Sequence, residues 1–194
     1  MNNFSIDQLS KIALALVMNN RPINPKLTEA LFAAILTKIT KAKSIDAFYL
    51  SMAIGRGLNK KFNAKNITNF SDLCYNLYLV TAKEIGEFDL FQLAQISNFM
   101  SSPEVTQAIP DEFWTENLEP MLEEHLGNFV KFKDQLDRKI YLSDFIKSLV
   151  GFGIREISTP LFLAKVERVI QPHVSELDHK AIENLLFFVM RTGA

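Results

Sequence analysis

"IGRGLNK", residues 54–60, decides how the chain is read. A Gly-x-Gly behind an aliphatic residue either opens a phosphate-binding loop after a β-strand, which would make the protein α/β, or closes an α-helix. "VGFGIRE", residues 150–156, poses the same choice. Neither run has the third glycine of Gly-x-Gly-x-x-Gly or the Gly-Lys-Ser/Thr ending of a P-loop. Each follows an apolar run at helical spacing, Tyr49, Leu50, Ala53 and Ile54 in the first case and Phe145, Ile146, Leu149 and Val150 in the second. The residues therefore predict helix ends, with a glycine in the left-handed conformation letting the chain turn.

Outward from these runs, apolar residues recur at helical spacing almost everywhere, and alternating strand-like runs are hard to find. The expected fold class is all-α. Ser5 or Asp7 caps a first helix, and Pro25 enters the first turn of a second that runs from Leu27 to Ile39. Ser44 or Asp46 opens a third that stops at Gly55 or Gly57, and Asn69 or Ser71 caps a fourth. Residues 87–100 form the next. Residues 111–132 follow, divided near Pro120, whose ring removes a donor and crowds the preceding turn. A charged connector, "KDQLDRK" at 133–139, precedes a helix from Tyr141; Thr159-Pro160 opens another, and Asp178 caps the last, from His179 to Arg191.

The expected count is about eight helices, in pairs. Their openings at Ser5, Ser44, Phe88, Tyr141 and Asp178 lie 37 to 53 residues apart, close to the roughly 34 to 47 of two-helix repeats. A shift of 96 places Tyr49, Ile54, Gly55 and Gly57 on Phe145, Val150, Gly151 and Gly153, and a shift of 37 places Ile12, Leu16 and Val17 on Tyr49, Ala53 and Ile54. The reading is a single α-helical repeat domain over residues 1–194, a short α-solenoid, with an irregular helical bundle as the alternative.

The element "ALALVMNNRPINPKLTEALFAAIL", residues 13–36, resembles units of the heptatricopeptide-like helical repeats of the FAST kinase-like and RAP-domain families. The likeness extends over the first two helix pairs and to Tyr141–Val169. It implies a repeat architecture and an RNA-associated role in an organelle, and it carries over no individual functional residue.

Composition narrows the function classes. With 194 residues, 48% of them hydrophobic and 22% charged, the chain can bury a core of ordinary size. One cysteine, Cys74, excludes an intramolecular disulfide. The apolar run from Ile12 to Met18 is much shorter than the roughly 20 residues of a membrane span. The N-terminal residues include Asp7 and lack the arginine-rich pattern of a mitochondrial presequence. The expected location is intracellular, the mitochondrion included.

No catalytic, cofactor-binding or metal-binding residue is expected. His125, His173 and His179 lack the i, i+4 spacing of a helical zinc pair, and a diiron Glu-x-x-His at His125 would need glutamate where Leu122 stands. Cys74 and Trp114 fall at core spacing. Glu119 and Glu123, one turn apart, read as a solvated acidic face.

The charge is bipolar. Lys38, Lys41, Lys43, Arg56, Lys60, Lys61 and Lys65 face only Asp46 within residues 38–65, whereas residues 84–124 hold ten acids and no lysine or arginine. Near-neutral totals with opposed patches fit docking to protein subunits. The candidate contacts are those seven basic residues, the acidic Glu112, Glu116, Glu119 and Glu123, and Phe187 and Phe188 in the terminal "LLFFVM", where consecutive apolar residues cover more than one helix face. The expected function is a non-catalytic adaptor or structural subunit of a larger assembly. RNA binding through residues 38–65 is the alternative.

Overall fold

The computed structural model describes residues 3–19, 22–58, 60–129, 131–132 and 134–193, without the side chain of Asn66. The fold is all-α. Among the described residues there are nine α-helices: α1 (Ile6–Met18), α2 (Pro25–Leu36), α3 (Ser44–Gly57), α4 (Phe70–Lys83), α5 (Leu90–Met100), α6 (Glu119–Phe129), α7 (Gln135–Arg155), α8 (Pro160–Ile170) and α9 (His179–Thr192). The chain divides into two compact units: Met1–Glu87 with Ser102–Ile109, and Phe88–Ser101 with Pro110–Ala194.

In the first unit the helix starts follow local chemistry. Ser5 and Gln8 form a reciprocal capping box on α1, and Asn24 accepts from the Lys26 N–H with Pro25 in the first position of α2. The start of α3 differs from the expected Ser44 or Asp46 cap. Lys43 holds that position, and Asp46 reaches back from the first turn to accept its N–H at 3.1 Å. The other Asp46 oxygen accepts from the Ser10 hydroxyl at 3.1 Å, tying buried Asp46 on α3 to α1. A buried carboxylate with two donors costs far less than a bare one. Helix α1 packs chiefly on α3, and α4 packs on α3 and α2. Their shared core includes Leu9, Ala13, Leu50, Ile54, Leu73 and Leu77, all buried.

In the second unit α5 packs on α7 and α7 on α9, while α6 packs on α8. A π-helical turn, Phe113–Leu118, precedes α6, and the Glu119 N–H reaches the Trp114 carbonyl. Pro120 explains it. With no N–H to give at residue 120, the helix widens by one residue before it resumes. Trp114 and Phe113 are fully buried, and edge-on rings run from Trp114 to Phe152 and from Phe152 to Phe188 at centroid distances of 5.1 and 6.4 Å.

Two expectations are corrected. Of the expected connector, residue 133 lies outside the described residues and residues 135–139 are no connector, because Asp134 accepts from the N–H groups of Leu136 and Asp137 and α7 starts at Gln135. Its charged residues, with Leu136 and Ile140 turned to solvent, hide the helical period. The glycines do not stop their helices by a left-handed turn either. Among the described residues no glycine has positive φ. Gly57 does end α3, in helical conformation, but Gly151 and Gly153 lie inside α7 at points of close approach. A Cβ on Gly151 would overlap Ser97 Oγ and stand 2.8 Å from the Trp114 ring, and on Gly153 it would stand 2.8 Å from the Phe187 ring and 3.3 Å from the Phe188 backbone. The left-handed residue that ends α7 is Glu156, at φ 56°. The Ile157 N–H bonds to Phe152 O and the Glu156 N–H to Gly153 O, the pairing of a Schellman cap.

Candidate functional site

The surface of α8 and α9 stands out chemically. Thr159 caps α8 and is itself held by buried Glu119, whose two oxygens accept from the Thr159 N–H at 2.7 Å and its hydroxyl at 2.8 Å. Asp178 caps α9 by accepting from the Ala181 N–H at 2.8 Å. With both starts fixed, α9 buries Ala181 and Phe188, two turns apart, on its inner side. Because residues 185–190 are all apolar, other large side chains must then turn outward. Leu186 is 55% exposed, Phe187 39%, Val189 42% and Met190 74%, and Leu161 on α8 is 71% exposed.

Beside this stripe lies a groove of about 350 Å³ between α8, the turn after it and α9. Leu163, Val166, Ile170, Val174, Leu185 and Val189 line it, and among the described residues Glu167 is the charged one at its wall. Ion pairs involve other parts of these helices: Arg191 on α9 with Glu156, Lys180 with Glu183 at 3.0 Å at the start of α9, and Lys165 on α8 with Glu123 on α6. A contiguous exposed apolar patch is the kind of surface that partner proteins cover. Covering each of the four α9 side chains would contribute on the order of 1 kcal/mol, given that each is already part-covered.

The candidate residues from the sequence are distributed unevenly. Phe187 belongs to the exposed stripe and Phe188 to the core. Of the acidic set, Glu112 and Glu116 face solvent, Glu123 pairs with Lys165, and Glu119 is the buried clasp on Thr159 and no part of a solvated face. Of the basic set, Lys41 and Lys43 precede α3 while Arg56 stands in its last turn, about 20 Å away at 1.5 Å rise per residue. The Lys38 ammonium donates to the Phe4 carbonyl at 2.6 Å, and Arg56 to the Met18 sulfur at 3.2 Å. Lys65 is exposed, and Lys60 and Lys61 line a separate cavity in the first unit.

Cys74 is buried, and burial pushes its thiol up to about 12, far from a reactive thiolate. Burial holds the His125 imidazole below its ordinary value and pushes the Tyr141 phenol up to about 12; the two side chains meet at 2.7 Å, and the phenol donates to the His125 carbonyl at 3.0 Å. His173 bonds Glu176 at 2.8 Å, and this contact, with the Arg138 guanidinium at 3.0 Å, holds that carboxylate below its usual range. Among the described residues no three His, Cys, Asp or Glu side chains gather as a metal site, and no helix is long and apolar enough to cross a membrane.

The Glu119 clasp and the apolar groove were not visible in the sequence, because each joins residues about 40 positions or more apart or depends on which side of α9 is buried. The run of six apolar residues at 185–190 was the available signal for the stripe. No family model, no curated protein and no solved structure matches the chain.

Proposed function

We propose that this protein is a non-catalytic helical adaptor or structural subunit, which docks a partner protein on the outward stripe of α9 and the adjoining groove. The observation that carries this reading is the exposure of Leu186, Phe187, Val189 and Met190 along one helix. In the second unit α5, α7 and α9 pack in succession, and α6 packs on α8; in the first, α1 packs on α3 and α2 on α4. That alternation supports reading the helices as stacked pairs, in the manner of a solenoid. The outward residues of α9 between Leu186 and Met190 are apolar, as a surface built to be covered would be.

The test is a paired comparison of wild type with a Leu186→Ser, Met190→Ser variant, expressed at native level and recovered by mild affinity purification. Both positions are exposed, so the variant should keep its stability within about 0.5 kcal/mol. Wild type should bring down one stoichiometric protein that the variant loses. A wild-type chain that is a salt-insensitive monomer by light scattering, with identical recoveries from both forms, overturns the reading.

RNA binding through residues 38–65 has less support. The separation of Lys41 and Lys43 from Arg56 along α3 breaks the basic run into two groups, and a backbone-tracking groove needs a continuous one. Charge reversal at Lys60 and Lys61 that left RNA affinity unchanged would remove this alternative.

A further inference from the structure

A second groove of about 350 Å³ in the second unit joins exposed apolar side chains to carboxylates. Asp89, Phe91, Asp137, Ile140, Tyr141 and Asp144 line it, and among the described residues no lysine or arginine does. On α7, Asp137, Tyr141 and Asp144 follow one another at i, i+4 and i+7, so they share one face, with a carboxylate at each end and a ring between. At 1.5 Å rise per residue the two carboxylates stand about 10 Å apart along the axis. Ile140, 55% exposed, and Leu136, one turn earlier and 65% exposed, run beside that face, and Phe91 of α5 adds a ring that is 47% exposed.

Little of the negative charge is compensated. One Asp89 oxygen accepts from the Gln92 N–H at 2.8 Å as the cap of α5, and Asp144 pairs with Lys147 at 2.8 Å. Asp137 uses only its backbone N–H, toward Asp134, and no ion pair or hydrogen bond from a described residue reaches its carboxylate. Burial holds the His125 imidazole below its ordinary value against the opposing fields of Glu124 and Asp89, so at neutral pH this lining residue brings no counter-charge. Tyr141 is held in place. Its phenol donates to the His125 carbonyl at 3.0 Å and meets His125 Nδ1 at 2.7 Å, so the ring has little left to order when a ligand lies on it.

We infer that this groove docks an arginine-bearing segment of a partner protein, the guanidinium lying against the Tyr141 ring and the carboxylates of Asp89 and Asp137, and neighbouring apolar side chains covering Leu136 and Ile140. The charge selects a cation, since a positive patch on a partner meets a negative one here and the phosphates of a nucleic acid are repelled. The rings select a flat cation. A guanidinium stacks on an aromatic face and spreads its donors in one plane, whereas an ammonium is a compact, strongly hydrated point charge. The open walls select a macromolecule, because small-ligand sites enclose roughly 70–90% of what they bind, and the apolar strip continues to Leu136 outside the groove. This surface also gives a reason for Leu136 and Ile140 to face solvent at the start of α7. It lies on α5 and α7, apart from the α9 stripe, and does not rest on that reading.

The experiment is fluorescence anisotropy of short labelled peptides against the full chain, at low salt and about pH 7.5. The probes alternate leucine with arginine, leucine with lysine, serine with arginine, and leucine with glutamate, and unlabelled arginine amide serves as a free competitor. The leucine–arginine peptide should bind tightest, and the leucine–glutamate peptide should not bind. An Asp89→Asn, Asp137→Asn variant should lose about fivefold for the leucine–arginine peptide, the sum of two part-exposed charge pairs. Asparagine caps a helix as well as aspartate, so α5 keeps its start and the variant its fold. Glu116→Gln, exposed and outside the groove, and the Leu186→Ser, Met190→Ser variant should both bind as wild type does. Unchanged affinity in the Asp89, Asp137 variant overturns the inference, as does equal binding of any other peptide, displacement by arginine amide at the peptide's own concentration, or a loss that appears in the Leu186, Met190 variant instead. The first three outcomes leave the α9 docking surface untouched, and its own test uses other residues.

Discussion

The ends of α3 and α7 carry the same Gly-x-Gly spacing and use it for different ends. In α3, Gly57 is the last helical residue, and its bare face receives the ring of Phe62 from the turn that follows. In α7, Gly151 and Gly153 stay within the helix and receive residues from far along the chain, Ser97 and Trp114 at one and Phe187 and Phe188 at the other. The first is a local staple and the second a helix-packing contact. The spacing alone does not separate them, because a missing Cβ says that something is close without saying what.

Substitution by alanine separates them by how freely each neighbour can give way. Gly151→Ala should have the largest effect. The new methyl meets Ser97 Oγ, which is fixed by its bond to the Ser148 carbonyl at 2.6 Å, and the fully buried Trp114 ring. Neither can retreat without opening the α5–α7 contact, so overpacking should outweigh the roughly 1 kcal/mol that alanine gains in helix propensity, for a net loss of about 2–3 kcal/mol. Urea denaturation checks it. An unchanged midpoint would show that the approach of α5 to α7 is looser than described.

Gly57→Ala should cost less, about 1 kcal/mol, because Phe62 stands on a turn and is only part-buried. Gly153→Ala should sit near zero in stability. Its close neighbours are the movable, part-exposed Phe187 ring and the Phe188 backbone at 3.3 Å, and the propensity gain offsets the strain. Partner recovery should nevertheless drop, since the ring that must move belongs to the docking stripe.

These cases show which parts of the molecule could be read in advance. Caps at Ser5 and Asp178, the Thr159-Pro160 opening and the break before Pro120 rest on neighbours within a few residues, and the sequence carries them openly. Cys74 and Trp114 followed from core spacing. The buried Glu119 looked like half of an acidic pair on a helix face, because its partner Thr159 lies 40 residues away. Lys60 and Lys61 were legible as charge, whereas the cavity they line was not, since Pro25 and Thr28 of α2 complete it. Residues 135–139 were hidden for the opposite reason: a helix whose apolar side chains face solvent keeps no buried period to detect.

The smallest effect concerns the residue that does what the glycines were expected to do. Glu156 takes the left-handed turn at φ 56°, where a side chain costs roughly 1 kcal/mol that glycine does not incur. It also pairs with Arg191 on α9 across half-exposed surface, where such a pair contributes between zero and about 1 kcal/mol. Glu156→Gly removes both. If the backbone term is the larger, the variant gains up to about 0.5 kcal/mol and the midpoint rises slightly, more so at high salt, which screens the wild-type pair, whereas Glu156→Ala loses the ion pair and keeps the strain. A fall in Glu156→Gly as deep as that in Glu156→Ala would mean instead that the pair with Arg191, and through it the seating of α9 on α7, outweighs the conformational preference at the helix end.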